Sequence, residues 1–403
     1  MAGPLEGLKV LELIRVPPGA FCTMMLADMG AEVLKIETPP AVPSATNPAP
    51  VVTAERRAVF QFVNRNKRSI AVNLKQPDGQ TLLHQLAANA DVLVEGFRPG
   101  VMARLGGDYE TLKAVNPRLI YCSLSGYGQD GPYHERPAHD INFLAIAGVL
   151  NLIGELHRPP AIPLNLIADY AGASLHGVVG ILLALLARQR TGGGQRVDVA
   201  YLDTSLALLA AAPMMQAFLC GGTDSHRGTG LLGGSYPYYA TYETADGKAL
   251  AVGCTDNEEW DAFCKAIGMA DLAAAGPDAA HAGHVAGAMA QTAKATVQAV
   301  LRQKTRDAWF SIFRDKRVSV APVHMADEAF DDSQVLARQM SVDVTHPRHG
   351  SARQAGIAVK LSDTPGSIRG AAPAVGEHTD EVLQALGYDE TKRAQLRQAG
   401  TVA

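Results

Sequence analysis

Residues 8–37 read L-K-V-L-E-L-I-R-V-P-P-G-A-F-C-T-M-M-L-A-D-M-G-A-E-V-L-K-I-E, and this stretch decides the fold class of the chain. The apolar run at 8–13 predicts a buried strand. A Pro17-Pro18-Gly19 turn and a helical stretch follow, with Gly30 as the helix C-cap, and a second strand is predicted at 32–37. Strand, helix and strand in this order form a β-α-β unit, which opens a doubly wound α/β fold.

The rest of the chain extends this pattern and then leaves it. Further strands are predicted between helical segments, at 69–74, 91–95, 119–124 and 195–199. This spacing indicates a mostly parallel sheet with both faces covered. Five prolines at 38–53 predict a surface loop, and after residue 220 a Gly-rich turn leads into Ala-rich helices. We therefore expect a large doubly wound, Rossmann-like lobe at 1–220, a smaller α+β lobe at 221–327 and a C-terminal segment at 328–403 that returns to the large lobe.

The composition of the 403 residues argues against several classes of protein. A formal net charge of −4 gives no reason to expect nucleic acid or an anionic membrane as a partner. The five cysteines are odd in number, widely spaced and without a C-x-x-C pair, so we expect no disulfide framework and a reducing, cytoplasmic compartment. No signal-peptide pattern opens the chain. The longest apolar runs, at 177–187 and 206–215, are shorter than the ~18 residues that suggest a membrane span.

Two familiar ligand motifs are missing or incomplete. The first β-α turn carries no G-x-G-x-x-G, the glycine pattern that brings a dinucleotide pyrophosphate to a helix N-terminus, which argues against a nicotinamide dehydrogenase. His281 and His284 have the spacing of a ligand pair, but no third ligand of suitable spacing stands near them. We therefore interpret them as part of a solvated helix and expect no metal.

Two basic stretches are candidates for holding an anionic ligand. Residues 64–68, N-R-N-K-R, precede a predicted strand that ends near Lys75, and Arg98 and Arg104 follow the strand at 91–95. Doubly wound sheets bind ligands beyond the carboxyl ends of their strands, where arginine and lysine can hold phosphates. The alternatives are a solvated loop for the first stretch and pairing with nearby acids for the second.

The stretch from 126 to 169 contains the candidate acid and base groups. It includes A-H-D-I-N-F at 138–143 and P-L-N-L-I-A-D-Y at 163–170. His139 beside Asp140 is either a structural histidine or a proton-transfer group. Asp169 precedes a long apolar helix, where its alternative role is that of an N-cap. The residues by themselves leave both alternatives open.

A whole-chain resemblance bears on these alternatives. The motifs P-L-E-G-L-K-V-L-E-L, M-L-A-D-M-G-A-E-V-L-K-I-E, N-R-N-K-R-S-I-A-V-N-L-K, V-E-G-F-R-P-G and P-G-S-I-R-G-A-A-P-A-V-G-E-H-T resemble the family III CoA-transferases (the CaiB/BaiF superfamily) from residue 4 to residue 386. Within that superfamily, the segments at 138–143, 163–170 and 233–247 are most similar to α-methylacyl-CoA racemases.

The resemblance implies roles for five residues of the candidate site. His139 and Asp169 correspond to the two acid/base residues, and Asn165 to a polar support of Asp169. The backbone N–H of Asp140 corresponds to a donor toward the thioester oxygen. A glutamate that supports the pair in racemases aligns with Asp256, one methylene shorter, although Glu258 and Glu259 stand nearby.

The resemblance also implies a coenzyme A site and an interlocked homodimer. The acyl-CoA thioester is the substrate, so coenzyme A arrives with it and no separate cofactor is expected. The coenzyme A contacts correspond to Pro17, Pro18, Arg65, Asn66, Lys67, Arg68, Val72, Lys75, Gly96, Phe97, Arg98 and Arg104. An arginine that relatives carry near the end of the second strand is Thr38 here, which removes one expected phosphate contact.

Three functions remain in competition at this point. The first is racemisation of 2-methylacyl-CoA thioesters, in which His139 and Asp169 exchange acid and base roles on opposite faces of an enolate. The second is CoA transfer between carboxylates, with Asp169 as a nucleophile and His139 incidental. The third is acyl-CoA binding without turnover. The sequence does not determine the acyl group.

Overall fold

The structure is a computed structural model that describes residues 2–40, 53–221, 226–278 and 287–403. Most of the predicted proline-rich loop, together with His281 and His284, lies outside the described residues. The chain divides into two compact units. The first contains Met1–Ala147, Pro163–Leu209 and Ser333–Ala403, and the second contains Gly148–Ile162 and Ala210–Asp332. The sequence predicted lobe boundaries at 220/221 and 327/328, whereas the two units divide after Leu209 and after Asp332, and the change of composition after Gly221 falls within the second unit.

A six-stranded sheet forms the centre of the first unit. Its strands are β1 Lys9–Leu13, β2 Glu32–Glu37, β3 Lys67–Ala71, β4 Val92–Glu95, β5 Ile120–Ser125 and β6 Arg196–Ala200. They are all parallel and lie in the order β3-β2-β1-β4-β5-β6. The order of connection therefore reverses between β1 and β4, as in a doubly wound sheet. The predicted α/β fold class is confirmed.

Helices connect these strands because each parallel strand requires a crossover. Before the boundary with the second unit they are α1 Pro17–Asp28, α2 Ala54–Val63, α3 Pro77–Ala88, α4 Val101–Arg104, α5 Tyr109–Val115, α6 Asp140–Ile146, α7 Leu175–Thr191 and α8 Tyr201–Ala210. The first helix begins with Pro17 and Pro18 in its opening turn, where proline is tolerated because its missing N–H has no helical acceptor.

The second unit is built around a three-stranded antiparallel sheet in the order β7-β8-β9. Its elements are α9 Pro213–Gly221, β7 Tyr239–Glu243, β8 Ala249–Gly253, α10 Asn257–Ala266, α11 Ala288–Leu301, α12 Arg306–Phe313, β9 Val320–Val323 and α13 Ala326–Asp331. Stacked aromatic rings dominate its core, with Trp260 against Phe263 and Phe263 against Phe313.

The C-terminal segment belongs to the first unit. It contains α14 Ser333–Ala337, the antiparallel hairpin β10 Ser341–His346 and β11 Gly350–Ala355, α15 Thr379–Ala385 and α16 Glu390–Gln398. Near the end of the chain, Val402 forms an antiparallel bridge with Val72 just beyond β3. The last residues are thereby fixed on the edge of the parallel sheet.

The helix Leu166–Thr191 is long and apolar enough to cross a membrane by length and composition. Core helices pass the same test, and the face with Gly177, Ile181 and Ala184 is buried. Gly177 packs so closely on Leu124 of β5 that an added Cβ would lie 3.0 Å from that side chain. This face is therefore a packing surface for the sheet, and the opposite face carries exposed leucines.

Candidate active site

Asp169 lies in an unusual helical segment. Residues Leu166–Ser174 form a π-helix that continues into α7, and the preceding Leu164 has a φ of +57°. Both features are uncommon, and π-helical turns and left-handed non-glycine residues are often found at functional sites. Asp169 sits in the first turn, so it is not the N-cap, a position that Asn165 occupies. The Nδ2 of Asn165 donates to Oδ2 of Asp169 at 3.0 Å.

Asp140 joins this segment to α6. It is the first residue of α6, and its Oδ2 accepts the backbone N–H groups of Ala168 at 2.9 Å and of Asp169 at 3.0 Å. One buried carboxylate oxygen therefore fixes the backbone that carries Asp169. The other oxygen, Oδ1, is buried with no hydrogen-bond partner among the described residues.

His139 immediately precedes α6 as its N-cap residue and is exposed. Its backbone N–H donates to Oδ1 of Asn142 at 3.0 Å. The N–H of Asp140 is the first of the α6 helix, so it belongs to the donors that have no acceptor within a helix. The structure thus brings together His139, Asp140, Asn165 and Asp169, four of the five predicted catalytic residues.

Both carboxylic acids at this site bind a proton more tightly than usual. Burial raises the pKa of Asp169, and the neighbouring charge of Asp140 adds to this, against the Asn165 hydrogen bond and the charge of His139. Burial also raises the pKa of Asp140, in spite of the N–H bonds from Asp169 and Ala168. A carboxylate of increased basicity beside an exposed imidazole can take and return a proton.

Asp256, the fifth predicted catalytic residue, belongs to the second unit. It is the N-cap of α10, and its Oδ1 accepts the backbone N–H of Glu259 at 2.8 Å. The Oε1 of Glu259 in turn accepts the hydroxyl of Ser319 at 2.8 Å. The carboxylate of Asp256 therefore has a capping role in its own unit, and its support of the acid/base pair stays a prediction.

A cavity of about 890 Å³ opens at the carboxyl ends of the first strands of the parallel sheet. Four of the predicted coenzyme A contacts line it, namely Pro17, Val72, Lys75 and Phe97. Ser174 connects the turn that carries Pro17 to the π-helix, because its Oγ lies 2.6 Å from the carbonyl oxygen of Pro18 and 2.8 Å from that of Asp169. The proline turn and the π-helix are thereby held together.

Arg65, predicted as a coenzyme A contact, is buried inside the fold instead. Its guanidinium donates from Nη2 to Oδ2 of Asp28 at 2.7 Å and from Nη1 to the carbonyl of Ala355 at 2.6 Å. Its side chain is 1% exposed, so a phosphate group cannot reach it in this arrangement. The neighbouring Asn66 bonds to Asp28 and to the backbone of Gly370, and thus fixes the C-terminal segment.

Lys67 is also part of the interior. Its Nζ lies 2.7 Å from Oε2 of Glu12, and Lys35 lies 2.8 Å from Oε1 of the same carboxylate. Burial alone would raise the pKa of Glu12, but the charges and hydrogen bonds of the two lysines lower it to about 2. We call Glu12, Lys35 and Lys67 the Glu12 cluster. Both lysines are paired with this one carboxylate within the sheet.

The remaining predicted contacts lie outside the lining of the cavity. Arg68 is exposed and pairs with Glu381 at 3.0 Å. Arg98 and Arg104 are exposed, Pro18 is buried, and Gly96 packs against Ile14, whose side chain would lie 3.0 Å from an added Cβ. Arg15 and Arg56, which were not predicted as contacts, do line the cavity. The sequence signal for Arg15 was its place directly after the first strand.

No group of three histidine, cysteine, aspartate or glutamate side chains suited to a metal ion occurs within the described residues. The acid/base site contains one imidazole, and its carboxylates are engaged by backbone and amide N–H groups. The expectation that no metal takes part stays a prediction.

Comparison with known proteins gives a consistent result over the whole chain. Residues 5–379 match the model of CoA-transferase family III. An acyl-CoA transferase of Fusarium pseudograminearum is 36% identical over 414 aligned residues, which cover 99% of this chain and 88% of that protein. The α-methylacyl-CoA racemase of Homo sapiens is 34% identical over 396 residues, which cover 97% of this chain and 96% of that protein.

The solved structures include a similar fold. A CAIB/BAIF family protein from Brucella suis superposes with a TM-score of 0.80 at 30% sequence identity. The match covers 96% of this chain and 100% of that chain. The arrangement of the elements is therefore shared as well as the sequence motifs.

Proposed function

Because this chain belongs to CoA-transferase family III, we propose that it binds an acyl-CoA thioester and racemises 2-methylacyl-CoA by transferring the α-proton. The observation that carries the proposal is that Asp140, the residue next to His139, accepts the backbone N–H of Asp169 and thereby holds Asp169 within the influence of the charge of His139. A thioester α-proton is weakly acidic, so its removal needs a base on one face and a proton donor on the other.

The residues divide the reaction between them. For one enantiomer His139 removes the α-proton and Asp169 returns a proton to the opposite face, and for the other enantiomer the roles are exchanged. The raised pKa of Asp169, which follows from burial and from the charge of Asp140, favours a carboxyl group that can act in both protonation states.

The intermediate between the two proton transfers is an enolate. Its negative oxygen needs a donor that is already in place, and the N–H of Asp140 at the start of α6 is our candidate. Oriented donors of this kind contribute ~10²–10³ in rate. This chemistry requires no metal and no organic cofactor besides the coenzyme A of the substrate.

The cavity at the strand ends is the proposed site of the coenzyme A moiety. Phe97 offers an aromatic face, while Arg15, Arg56 and Lys75 offer positive charge in a chain of net charge −4. Ser174 joins the Pro18 turn, beside this cavity, to the backbone of Asp169. A thioester at Asp169 with its nucleotide in the cavity is consistent with this connection.

A CoA-transferase is the second candidate, and one specific observation favours it. The Fusarium pseudograminearum relative, 36% identical to this chain, is an acyl-CoA transferase. In that reaction Asp169 would attack the thioester as a nucleophile, giving a mixed anhydride and then an aspartyl-CoA thioester. His139 would have no essential part.

We also propose a homodimer, because α7 exposes an apolar face. Val179, Leu183 and Leu186 are 51%, 60% and 58% exposed, which is unusual for a continuous helical stripe. A second copy of the chain is the proposed cover for this stripe. Light scattering should give twice the chain mass of 42.5 kDa, whereas an active monomer would contradict the assembly.

A single-epimer substrate tests the racemase against the transferase. We expect incubation of one pure epimer of a 2-methylacyl-CoA with the protein to yield the other epimer without any carboxylate acceptor. Chiral chromatography of the hydrolysed acid measures this. Fast CoA transfer to added carboxylates, with no epimerisation in their absence, would replace the racemase by the transferase.

A further inference from the structure

Arg15 is a cationic side chain at the coenzyme A cavity that is held from two sides. Its Nη2 donates to Oγ1 of Thr38 at 3.2 Å. Its guanidinium carbon lies 5.2 Å from the centre of the Phe97 ring. Residue 15 follows β1 and residue 38 follows β2, and these strands are parallel neighbours, so both residues stand at the same edge of the sheet.

This arrangement leaves the charge of Arg15 available. No carboxylate pairs with it among the described residues. Glu37 lines the same cavity, but its Oε2 accepts the hydroxyl of Ser69 at 2.6 Å. Arg65 and Lys67 are buried and paired with Asp28 and Glu12, so they contribute no charge to the cavity surface.

The fixed geometry distinguishes Arg15 from the other cations of the cavity. Lys35 also lines it, but its charge is paired with Glu12 at 2.8 Å. Arg56 and Lys75 line it as well, but neither has a comparable pair of contacts within the described part of the chain. A guanidinium group that a ring and a hydroxyl already orient loses less side-chain entropy on binding an anion than a freely rotating one does. Planar guanidinium groups match phosphate oxygens through two parallel hydrogen bonds.

We propose that Arg15 is the phosphate-binding arginine of this cavity, oriented by Thr38 and Phe97, and that it recognises the phosphorylated nucleotide end of the ligand. The inference rests on the proposed function, since that function supplies the coenzyme A. Arg15 is then a residue that selects the ligand, and Thr38 holds the side chain of Arg15 in position. Thr38 and Phe97 are positioning residues in this assignment.

Calorimetry on the full chain with three separate probes tests the inference: coenzyme A, adenosine 3′,5′-bisphosphate and pantetheine. Arg15→Met keeps an apolar chain near Phe97 and removes the charge. It should weaken binding of the first two probes roughly tenfold to a hundredfold and leave the phosphate-free pantetheine unchanged. Arg15→Lys keeps the charge without the planar fork and should recover only part of the loss.

A second variant uses the contact with Thr38. In Arg15→Met/Thr38→Arg the guanidinium is carried by the other member of the hydrogen-bonded pair, so nucleotide affinity should return to within about threefold of the wild type. Arg397→Met is the matched control, because Arg397 is an exposed arginine of the same unit paired with Asp380, and it should change nothing.

The outcomes separate the inference from the proposed function. Wild-type binding of coenzyme A with no loss in Arg15→Met overturns the role of Arg15 and leaves the proposed function intact. A wild type that binds neither coenzyme A nor the bisphosphate overturns both. If Arg15→Met weakened the binding of pantetheine as much as that of coenzyme A, Arg15 would shape the cavity and would not bind phosphate. This result also contradicts the inference.

Discussion

The Glu12 cluster and the site around Asp169 each contain buried or half-buried carboxyl groups in the same unit, but the partners of these carboxyl groups differ. In the cluster two lysines neutralise one carboxylate, and the pKa of Glu12 falls to about 2 in spite of its burial. At the site burial raises the pKa of both Asp140 and Asp169, and no lysine or arginine pairs with either carboxyl group among the described residues.

The difference separates charged groups that stabilise this fold from charged groups that are available for a reaction. In the Glu12 cluster, lysine and hydroxyl donors satisfy the carboxylate, and the Nζ of Lys35, which lines the cavity, is bonded to Glu12 and to the carbonyl of Ile14. The cluster therefore stabilises the sheet. The site is incomplete, because Oδ1 of Asp140 lacks a partner among the described residues and Asp169 is half-buried. We infer that a ligand completes it.

Glu12→Gln should have the largest effect on folding. It removes the carboxylate that the two buried lysines share and leaves both of them without a paired anion, and breaking a buried pair in this way costs ~3–5 kcal/mol. Urea unfolding should show a loss of this size. Asp169→Asn, the matched change at the site, should alter the free energy of unfolding by less than ~1 kcal/mol, and similar losses in both variants would erase the distinction.

A third buried carboxylate gives a pH test of the same comparison. Glu95 at the end of β4 accepts the N–H of Phe97 at 2.8 Å, and burial, only partly countered by hydrogen bonds, raises its pKa to about 7. Its folded pKa lies above the ordinary 4.5, so its stabilising contribution is complete below pH 4.5 and is lost as the pH rises through 7. The pKa of Glu12 is lowered, so its stabilising contribution is present above pH 4.5 and is lost as the pH falls.

Glu95→Gln isolates this contribution. Between pH 5 and pH 7 we expect the free energy of unfolding to fall by about 2–3 kcal/mol more in the wild type than in Glu95→Gln, since each pKa unit corresponds to about 1.4 kcal/mol. Urea titrations at several pH values measure the difference. If the free energies of unfolding of the two proteins changed with pH in parallel, Glu95 would already be ionised in the folded state over this pH range, and its pKa would not be raised.

Asp140→Ala should have a smaller effect on stability, of ~1–3 kcal/mol, because two backbone N–H groups lose their acceptor. We also expect slower epimerisation, since the backbone of Asp169 would no longer be fixed. Asp140→Asn keeps an oxygen acceptor and should recover most of the stability. An Asp140→Ala protein with unchanged turnover would show that the link between α6 and the π-helix has no part in the reaction.

The sequence predicted the sheet well, for reasons that lie in local patterns. The apolar runs, the proline turn before α1 and Gly30 after it are signals that a short window contains. The C-cap of α1 is Met29, and Gly30, predicted as the C-cap, follows it with a φ of +109°, a conformation that side chains other than glycine rarely adopt.

The charged residues were harder to assign, because a sequence gives no direct measure of burial. Arg65, Lys67 and Arg68 stand in one basic run, yet the first two are inside the fold and the third is on its surface. Their partners, Asp28, Glu12 and Glu381, are distant in sequence. The π-helix at Asp169 was not predicted either, since an i→i+5 turn has the same composition as an α-helix.

Deuterium incorporation into a 2-methylacyl-CoA in heavy water, with no carboxylate acceptor present, tests the proposed acid/base pair most directly. We expect the wild type to exchange the α-hydrogen, and His139→Ala and Asp169→Asn each to reduce exchange by ~10² or more, the usual contribution of a positioned acid or base. Mass spectrometry of the recovered acyl group measures it. Absence of exchange in the wild type, or full exchange in His139→Ala, would contradict the account.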